Sequence, residues 1–319
     1  MPIPRRALLA AATLPFAAHA QAPWQPDRPL SMIVAYAAGG GTDTAARLLA
    51  RMLEKQLGQP VVVSNRPGAS GGIGFTELAR SRPDGYTLGF TNTPTIVTIP
   101  IEQPQARFKL EDFAFIANIV DDPGGLWVLA ASPIKTLDDL LAEARRRPGQ
   151  VSYGTTGVGS DDHLAMLALE RATGTSFLHV PYGGSSQVRT AMMGRTIDLA
   201  VVNMGEGLGD WRQGLSRPLG QLAPQRWAAA AEVPTLRELG HDVVEGSMRG
   251  LAAPAGLPAP VLARLVAAVR AAMADPEFIA GATQQQLPLR FLGPEDYTRE
   301  LHALRRSYAA LWAQHPWKE

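Results

Sequence analysis

Residues 30–43 decide the fold, and they read Leu-Ser-Met-Ile-Val-Ala-Tyr-Ala-Ala-Gly-Gly-Gly-Thr-Asp. The run from Leu30 to Tyr36 is almost entirely apolar, which is typical of a buried strand. The glycines at 39–41 then form a turn. The stretch therefore predicts a strand, a glycine turn and a helix. The helix is indicated by apolar residues at the spacing of one helix face, namely Ala45, Leu48, Leu49, Met52 and Leu53.

The same alternation of short apolar strands and amphipathic helices continues along the chain. Gly58 and Pro60 end the first helix, and a strand follows at 61–63. Short strands that alternate with helices are typical of parallel sheets built from βαβ units, and two such blocks predict two lobes. Further strands are predicted at 86–90, 127–131, 151–153, 177–180 and 199–202, and further helices at 75–80, 137–147, 161–171, 259–274 and 294–312.

The composition excludes several classes of function. The chain has 319 residues, of which 46% are apolar, so it is long enough for two domains with sizeable cores. A formal net charge of +1 gives no indication of nucleic-acid binding. The absence of cysteine excludes disulfides, thiolate metal sites, cysteine nucleophiles and a lipid-modified N-terminal cysteine. We expect no cofactor and no metal.

The N-terminal segment predicts export. Arg5 and Arg6 provide a charged start, residues 7–18 form a short apolar run, and Ala18-His19-Ala20 fits a small-x-small cleavage site. This run is too short to span a bilayer, so residues 1–20 are predicted to be a signal peptide of a periplasmic protein. Cleavage after residue 22 is an alternative. The paired arginines also resemble a twin-arginine signal, although proline stands at position 4 where Ser or Thr is usual.

Two glycine-rich loops, at 37–43 and 154–160, each follow a predicted strand and open a predicted helix. Ligands of open α/β sheets bind beyond the carboxyl ends of strands, where the N–H groups of a helix's first turn bind anions such as carboxylate. We therefore expect a cleft in which the N–H groups of Gly40, Gly41 and the 157–160 turn hold one polar end of a ligand. For a single loop, the alternative is a tight turn that needs positive φ.

Few residues have catalytic or metal-binding potential. His163 and His179 lie in apolar patterns, so each is expected to be a structural histidine rather than a metal ligand. Ser160 and Ser185 could be nucleophiles in principle, but we identify no Gly-x-Ser-x-Gly elbow in the sequence. Because we find no nucleophile–base pair and no metal cluster, we do not expect an enzyme.

A series of motifs in a fixed order accompanies these loops. With them the chain, from about residue 24 to the C-terminus, resembles the substrate-binding receptors of tripartite tricarboxylate transporters, also called Bug receptors. The motifs are Arg28-Pro29-Leu30, Ala38-Gly39-Gly40-Gly41-Thr42-Asp43, Gln59-Pro60-Val61, Asn65-Arg66-Pro67-Gly68, Pro83-Asp84-Gly85-Tyr86, Tyr153-Gly154, His163-Leu164, His179-Val180-Pro181-Tyr182 and Ala253-Pro254-Ala255-Gly256.

The resemblance implies an α/β, two-lobed periplasmic binding protein fold of type II-like form. In this fold, parallel-rich sheets are flanked by helices, the ligand cleft lies between the lobes, and the chain crosses between the lobes twice. We therefore expect the first lobe to comprise residues 23–124 and 247–319, and the second lobe residues 125–246.

The resemblance also implies the function and the binding residues. The protein would be a monomeric periplasmic receptor that captures a small organic acid, amino acid, amide or related polar metabolite for membrane transporter subunits. A ligand sensor for a signalling system is an alternative, and an enzyme on a similar scaffold is a weaker one. The expected ligand-binding residues are Tyr36, Ala38, Gly39, Gly40, Gly41, Asp43, Thr91, Asn92, Thr93, Gly154, Thr156, Ser160, Asp161, His163, Tyr182, Gly183 and Asn203.

The chain departs from the family pattern in its acidic residues. Members commonly carry Ser or Thr before the His-Leu pair, where this chain has Asp161 and Asp162. Many have Asp-Asn at the strand end where this chain has valine before Asn203, with Glu206 following. One interpretation is that Asp161 caps its helix and faces away from the cleft. The other is that one of these carboxylates holds a cationic or amide group, so that the ligand is not a tricarboxylate.

Overall fold

The structure is a computed structural model, and it describes residues 24–317. The predicted signal peptide and both candidate cleavage positions lie outside the described residues. None of the helices within residues 24–317 combines the length and apolar character needed to cross a membrane.

The first part of the chain forms the predicted βαβ pattern. The strand from the opening stretch lies between its two neighbours and pairs parallel with both, so that Met32 lies beside Val63 and Leu88. Because the strands are parallel, their carboxyl ends meet at one edge of the sheet. The elements are β1 (Leu30–Val34), α1 (Gly41–Leu57), β2 (Val61–Asn65), α2 (Gly72–Ala79), β3 (Thr87–Asn92) and α3 (Thr95–Glu102).

One long strand, β4 (Phe113–Leu129), runs through the centre of the molecule. Its first part pairs antiparallel with β9 (Gly246–Pro254), from Phe113 opposite Pro254 to Pro123 opposite Gly246. Its last part pairs antiparallel with β7 (Leu199–Asn203) and β8 (Ser216–Gln221). The strand thus connects the two halves of a ten-stranded mixed sheet.

The second part of the chain repeats the parallel pattern. Its central strand pairs parallel with a neighbour on each side, as Gly154 does with Val180 and Ala200. The remaining elements here are α4 (Leu137–Arg146), β5 (Ser152–Thr155), α5 (Asp161–Thr173), β6 (Leu178–Pro181), α6 (Ser185–Met193) and α7 (Met204–Arg212).

The C-terminal region returns to the first half of the sheet and is mostly helical, as predicted. Its elements are α8 (Ala259–Ala274), α9 (Pro276–Gln284), β10 (Leu289–Leu292) and α10 (Pro294–Gln314). Helix α8 packs on α1, and α10 packs on α3 and β4, while β10 pairs with β4.

The buried apolar residues form separate cores. One cluster is built from residues 30–120 and 248–317 with Leu164 added, and two clusters are built from residues 126–243. We use "first lobe" for residues 24–124 with 247–317 and "second lobe" for residues 125–246. These boundaries stay a prediction. The α/β class with flanking helices is confirmed, while the antiparallel ladder through β4 and β9 makes the sheet mixed rather than mainly parallel.

Candidate functional site

A small cavity lies where the carboxyl ends of parallel strands from both lobes meet. Tyr36 and Asn92 follow or end β1 and β3, and Thr156 and Asn203 follow or end β5 and β7. The cavity has a volume of about 10 Å³, which is room for about one water molecule. Its wall consists of Tyr36, Gly40, Gly41, Thr42, Asn92, Thr156, Asp161, Gly184, Ser185, Asn203, Glu206 and Arg249.

The glycine loop of the first lobe contacts the second lobe directly at the rim of this cavity. The N–H of Ala37 donates to the carbonyl of Gly183 at 3.0 Å, and the Ser186 hydroxyl donates to the carbonyl of Ala38 at 3.0 Å. A Cβ at Gly40 would lie 2.9 Å from Ser185 Oγ, so a side chain there would force the serine hydroxyl to move. The two lobes are therefore closed against each other at this loop.

A buried arginine organises the floor of the cavity. Arg249 projects from β9, and its side chain is only 1% exposed. Its Nη1 donates to Asp122 Oδ2 at 3.1 Å, and its Nη2 donates to Glu206 Oε1 at 3.0 Å and to Asn203 Oδ1 at 2.6 Å. Because a buried charge is costly unless it is paired and hydrogen-bonded, these partners make the position of Arg249 tolerable.

The carboxylate of Glu206 lies at the first turn of α1. Its Oε1 accepts from the N–H of Gly41 at 3.0 Å as well as from Arg249, and its Oε2 accepts from the N–H of Asn203 at 3.1 Å. The last bond belongs to the capping box of α7. Glu206 thus belongs to the second lobe but uses a backbone donor of the first.

Two further carboxylates begin α5. Asp161 is on the cavity wall, where its Oδ2 accepts from Asn203 Nδ2 at 2.8 Å. Asp162 Oδ2 accepts from the hydroxyl and the N–H of Thr156 at 2.9 and 3.2 Å. The N-cap of this helix is instead Ser160, whose Oγ accepts from the N–H of residue 163. Asp161 therefore faces the cavity, and another residue caps the helix.

Burial makes these carboxylates harder to ionise. It raises the pKa of Asp122 to about 7, although the positive charge of Arg249 acts in the opposite direction. It raises the pKa of Asp161 to about 6, against the hydrogen bond from Asn203 and the charge of Arg249. It raises the pKa of Asp162 well above its usual range, and the neighbouring Asp161 adds to this rise.

Polar side chains of the first lobe fix the opposite wall. The Tyr36 hydroxyl is hydrogen-bonded to Thr95 Oγ1. Asn92 Nδ2 donates to Thr42 Oγ1 at 3.2 Å and to Ser247 Oγ at 3.1 Å. Since these groups are all buried, their mutual hydrogen bonds hold the loops after β1 and β3 in one arrangement.

Seven of the predicted binding residues lie together on the cavity wall, and ten lie elsewhere. The seven are Tyr36, Gly40, Gly41, Asn92, Thr156, Asp161 and Asn203. The ten are Ala38, Gly39, Asp43, Thr91, Thr93, Gly154, Ser160, His163, Tyr182 and Gly183.

Several of the ten residues that are not on the cavity wall form hydrogen bonds within the first lobe. The carboxylate of Asp43 accepts from the N–H of Gly39, from Arg47 and from Asn65, beside the loop rather than in the cavity. Thr91 donates to a backbone carbonyl of β9 in the core of the first lobe. The Thr93 hydroxyl accepts from the N–H of residue 248.

Five of the ten residues that are not on the cavity wall belong to the second lobe. His163 stacks on His179 with ring centroids 4.2 Å apart, and its Nδ1 accepts from the N–H of Gly159. Gly154 packs beneath the Tyr182 ring, where a Cβ would meet it at 3.0 Å. Tyr182 and Gly183 line a separate groove at the lobe interface together with Trp312 and Trp317.

The predicted use of backbone N–H groups for the ligand is only partly possible. The N–H of Gly41 is taken by Glu206, that of Gly157 by Thr155 Oγ1 and that of Gly159 by His163. The N–H groups of Gly157, Gly159 and Ser160 are thus used within the second lobe, and residues 157–160 are not part of the cavity wall.

Ser70 is a hydroxyl that the sequence reasoning passed over. It stands in Gly68-Ala69-Ser70-Gly71-Gly72, which has the Gly-x-Ser-x-Gly pattern, and its φ of 54° is in the left-handed region. It lines the groove that also contains Tyr182. No histidine is among the described residues lining that groove, so a serine–histidine pair is not formed there.

Sequence reasoning left five wall and floor residues off its list of binding residues, although Thr42, Gly184 and Ser185 lie in or beside the loops that it singled out; the five are Thr42, Asp122, Gly184, Ser185 and Arg249. It weighed Glu206 but did not place it among the binding residues. One available signal was a charged residue within an otherwise apolar or small run, because charged side chains are seldom fully buried unless they are paired. Arg249 stands in Met-Arg-Gly-Leu-Ala-Ala, and Asp122 follows an apolar stretch of β4.

Polar groups that converge on a cavity at strand ends are typical of a small-molecule binding site. Within residues 24–317, no group of three or more His, Cys, Asp or Glu could hold a metal ion. The family model described as the tripartite tricarboxylate transporter family receptor matches residues 45–296, and the chain belongs to this family.

Relatives agree with this assignment. The chain is 37% identical to Protein BugT of Bordetella pertussis over 72% of this chain and 71% of the relative. It is 34% identical to a UPF0065 protein of Cupriavidus necator over 92% of this chain and 88% of the relative. The predicted resemblance to Bug receptors is confirmed.

Solved structures of the same kind include ligand complexes. The periplasmic binding protein BugD has a TM-score of 0.86 and 28% identity, covering 91% of this chain and 98% of its own. An R. palustris protein with adipate has a TM-score of 0.87 and 26% identity, covering 92% and 98%. MatC of Rhodopseudomonas palustris with bound malate has a TM-score of 0.84 and 26% identity, covering 89% and 99%. The chain is therefore a solute-binding receptor of the periplasmic binding protein type.

Proposed function

We propose that this receptor captures a small organic acid or related polar metabolite in the interlobe cavity and delivers it to a tripartite tricarboxylate-type transporter. The observation that carries the proposal is the convergence of Tyr36 and Asn92 from one lobe with Asp161, Asn203 and the α6 start from the other. The similar proteins solved with adipate and malate support a small polar ligand.

Binding would proceed by opening and closing of the lobes. The cavity has room for about one water, so a metabolite enters only when the first glycine loop separates from residues 183–186. A ligand that contacts both walls then favours the closed form, because only a difference in affinity can shift that equilibrium. The crossings between the lobes, at Pro123–Gly124 of β4 and Glu245–Gly246 before β9, are the natural hinge.

The proposal includes binding without chemical turnover, since the relatives are receptors. It also includes export to the periplasm through the predicted signal peptide. N-terminal sequencing of protein recovered from the cell envelope tests export, and a first residue at Gln21 or Pro23 is expected. Recovery of the uncleaved chain in the cytosol would contradict it.

A thermal-shift screen of the purified mature chain tests the binding proposal. The panel contains dicarboxylates, tricarboxylates, amino acids, aromatic acids, amides and amines. A ligand at 100 times its dissociation constant should add about 2.7 kcal/mol to the free energy of unfolding, a rise of a few degrees in Tm. Mass spectrometry of the denatured protein identifies any metabolite that co-purifies.

A pair of variants localises the binding. Ser185→Trp places a large ring in the cavity wall and should abolish the shift, because residue 185 is buried beside Gly40. Ser176→Trp is the matched control at an exposed position away from the cavity, and it should keep the shift. No stabilisation by any compound and no co-purified metabolite would contradict the proposal. Binding that survives in Ser185→Trp would contradict its location.

A further inference from the structure

The position at the start of α1 that suits a ligand carboxylate is filled by the protein itself. A helix N-terminus with a free N–H and an adjacent guanidinium is the usual environment of a bound carboxylate. Here Glu206 Oε1 accepts from the N–H of Gly41 and from Arg249 Nη2, both at 3.0 Å, and the side chain is 6% exposed. Any ligand carboxylate at this end would have to displace Glu206 from both donors.

The surroundings carry more negative than positive charge. Asp122, Asp161, Asp162 and Glu206 are all buried within one cluster. Within the described part of the chain, the ion pairs of these carboxylates involve a single cation, Arg249. An anionic ligand would add to this excess of negative charge, whereas a cationic ligand would offset it.

Two buried polar atoms in this cluster lack a hydrogen-bond partner among residues 24–317: Arg249 Nε and Asp162 Oδ1. Arg249 is 1% exposed and forms part of the cavity wall, and its Nε is a buried donor without a partner among these residues. Buried polar atoms in native proteins are nearly always partnered, which makes an unpaired donor in a binding cavity an indication of a ligand acceptor.

We propose that the cavity recognises its solute through a cationic nitrogen, paired with Asp161 and favoured by the neighbouring carboxylates. In this arrangement Glu206 replaces a ligand carboxylate at the start of α1. An oxygen of the solute accepts from Arg249 Nε. The solute class is thus a small amine that also carries an acceptor oxygen, and this inference rests on the proposed function.

Isothermal titration with three probes of equal chain length tests the charge preference. The probes are putrescine, γ-aminobutyrate and succinate, which carry two ammonium groups, one of each charge, and two carboxylates. We expect the native protein to bind γ-aminobutyrate most tightly and succinate at least about tenfold more weakly.

Two charge-neutralising variants and one control test the residues. Asp161→Asn keeps an acceptor for Asn203. It should lower the affinity for γ-aminobutyrate by at least about tenfold without lowering the affinity for succinate. Glu206→Gln keeps an acceptor for the N–H of Gly41 and should raise the affinity for succinate. The matched control is Glu170→Gln on α5, which accepts from the N–H of Phe177 outside the cavity and should change neither affinity.

Three outcomes would overturn the inference. They are tighter binding of succinate than of both amines, unchanged γ-aminobutyrate affinity in Asp161→Asn, and no binding of either amine at millimolar concentration. In each case the proposed function is judged separately. It stands if any acid in the thermal-shift panel binds and Ser185→Trp abolishes that binding, and it fails if no compound binds at all.

Discussion

Arg249 shows how a single residue determines the chemistry of the site. Its guanidinium is enclosed between β4 and α7, and it joins Asp122, beside the proposed hinge, to Glu206 at the cavity. Attraction between buried ions roughly offsets the cost of removing them from water, so the arrangement adds little net stability. Removing one member, however, leaves the others unpaired.

Replacement of this arginine should therefore be strongly destabilising. We expect Arg249→Met to lower the free energy of unfolding by about 3–5 kcal/mol, measured by urea denaturation. The control is Arg290→Met, which removes the ion pairs of Arg290 with Asp121 and Glu300 at a side chain that is 42% exposed. That change should cost less than about 1 kcal/mol per pair. Equal effects of the two substitutions would refute the role of burial.

His163 gives a prediction about acid stability. Burial lowers its pKa to about 3, and the stacked His179 adds to this, so the ring is neutral in the folded protein. In the unfolded chain its pKa is about 6.5, so below that pH the unfolded state takes up more protons and folding stability falls. At about pH 5 the loss attributable to this one ring should be about 2 kcal/mol relative to neutral pH.

The measurement compares urea denaturation at about pH 7 and pH 5 for the native protein and His163→Asn. The variant keeps an acceptor for the N–H of Gly159 and should lose about 2 kcal/mol less on acidification. His315→Asn, at an exposed position, is the matched control and should behave as the native chain. An identical acid response in native protein and His163→Asn would show that the ring is not kept neutral by the fold.

Only some of the site residues could be predicted from the sequence. Tyr36, Gly40, Gly41 and Asn92 could be placed at the site because they lie in or near motifs that follow predicted strands. Arg249 could not, because its partners are 127 and 43 positions away and only the sheet order brings them together. A lone arginine within a strand does not indicate which loops it will meet.

Among the elements, α1 links the two lobes at the cavity. Its first residue, Gly41, approaches Glu206 and Arg249 so closely that a Cβ there would overlap Glu206 Oε1 and lie 2.5 Å from Arg249 Nη1. The backbone at Gly41 is helical, so alanine is acceptable to α1 by itself. The side chain would conflict with Arg249 of the first lobe and, in the closed form, with Glu206 of α7 in the second lobe.

Gly41→Ala should therefore hinder closure. We expect the affinity for the tightest ligand of the screen to fall at least about tenfold by isothermal titration, because closing then requires displacement of a buried carboxylate. The control is Gly209→Ala on α7, where nothing lies within 4 Å of a Cβ. Alanine there should add about 0.5–1 kcal/mol to helix stability and leave the affinity unchanged. Native-like binding by Gly41→Ala would contradict the closed contact.

The helices and strands were predicted correctly where the apolar residues follow a single clear pattern, either a continuous run or a helical stripe. β1, α1, β3 and β7 follow from plain apolar runs or a clear helical stripe. The long β4 was recognised only in its last part, because Pro123-Gly124-Gly125 in its middle has the composition of a turn. In the structure these residues lie where the strand changes partner from β9 to β7 and β8. The interruption marks this change of partner and does not end the strand.

At the level of the whole molecule, the proposed function requires the two lobes to separate before a solute can enter. A disulfide across their contact tests this directly. A Cβ at Gly39 would lie 3.8 Å from Ser186 Cβ, which is the mean spacing in disulfides. The chain has no cysteine, so Gly39→Cys with Ser186→Cys forms a single possible bridge. Residue 39 has a φ of 80°, and the resulting strain is present in both redox states.

The decisive measurement is isothermal titration of this double variant, oxidised and then reduced, with the tightest ligand of the screen. We predict no uptake by the oxidised protein and full recovery of binding on reduction. Equal affinity and equal rate of binding in the two states, with the disulfide verified by mass spectrometry, would contradict entry by lobe separation and with it the interlobe cavity as the binding site.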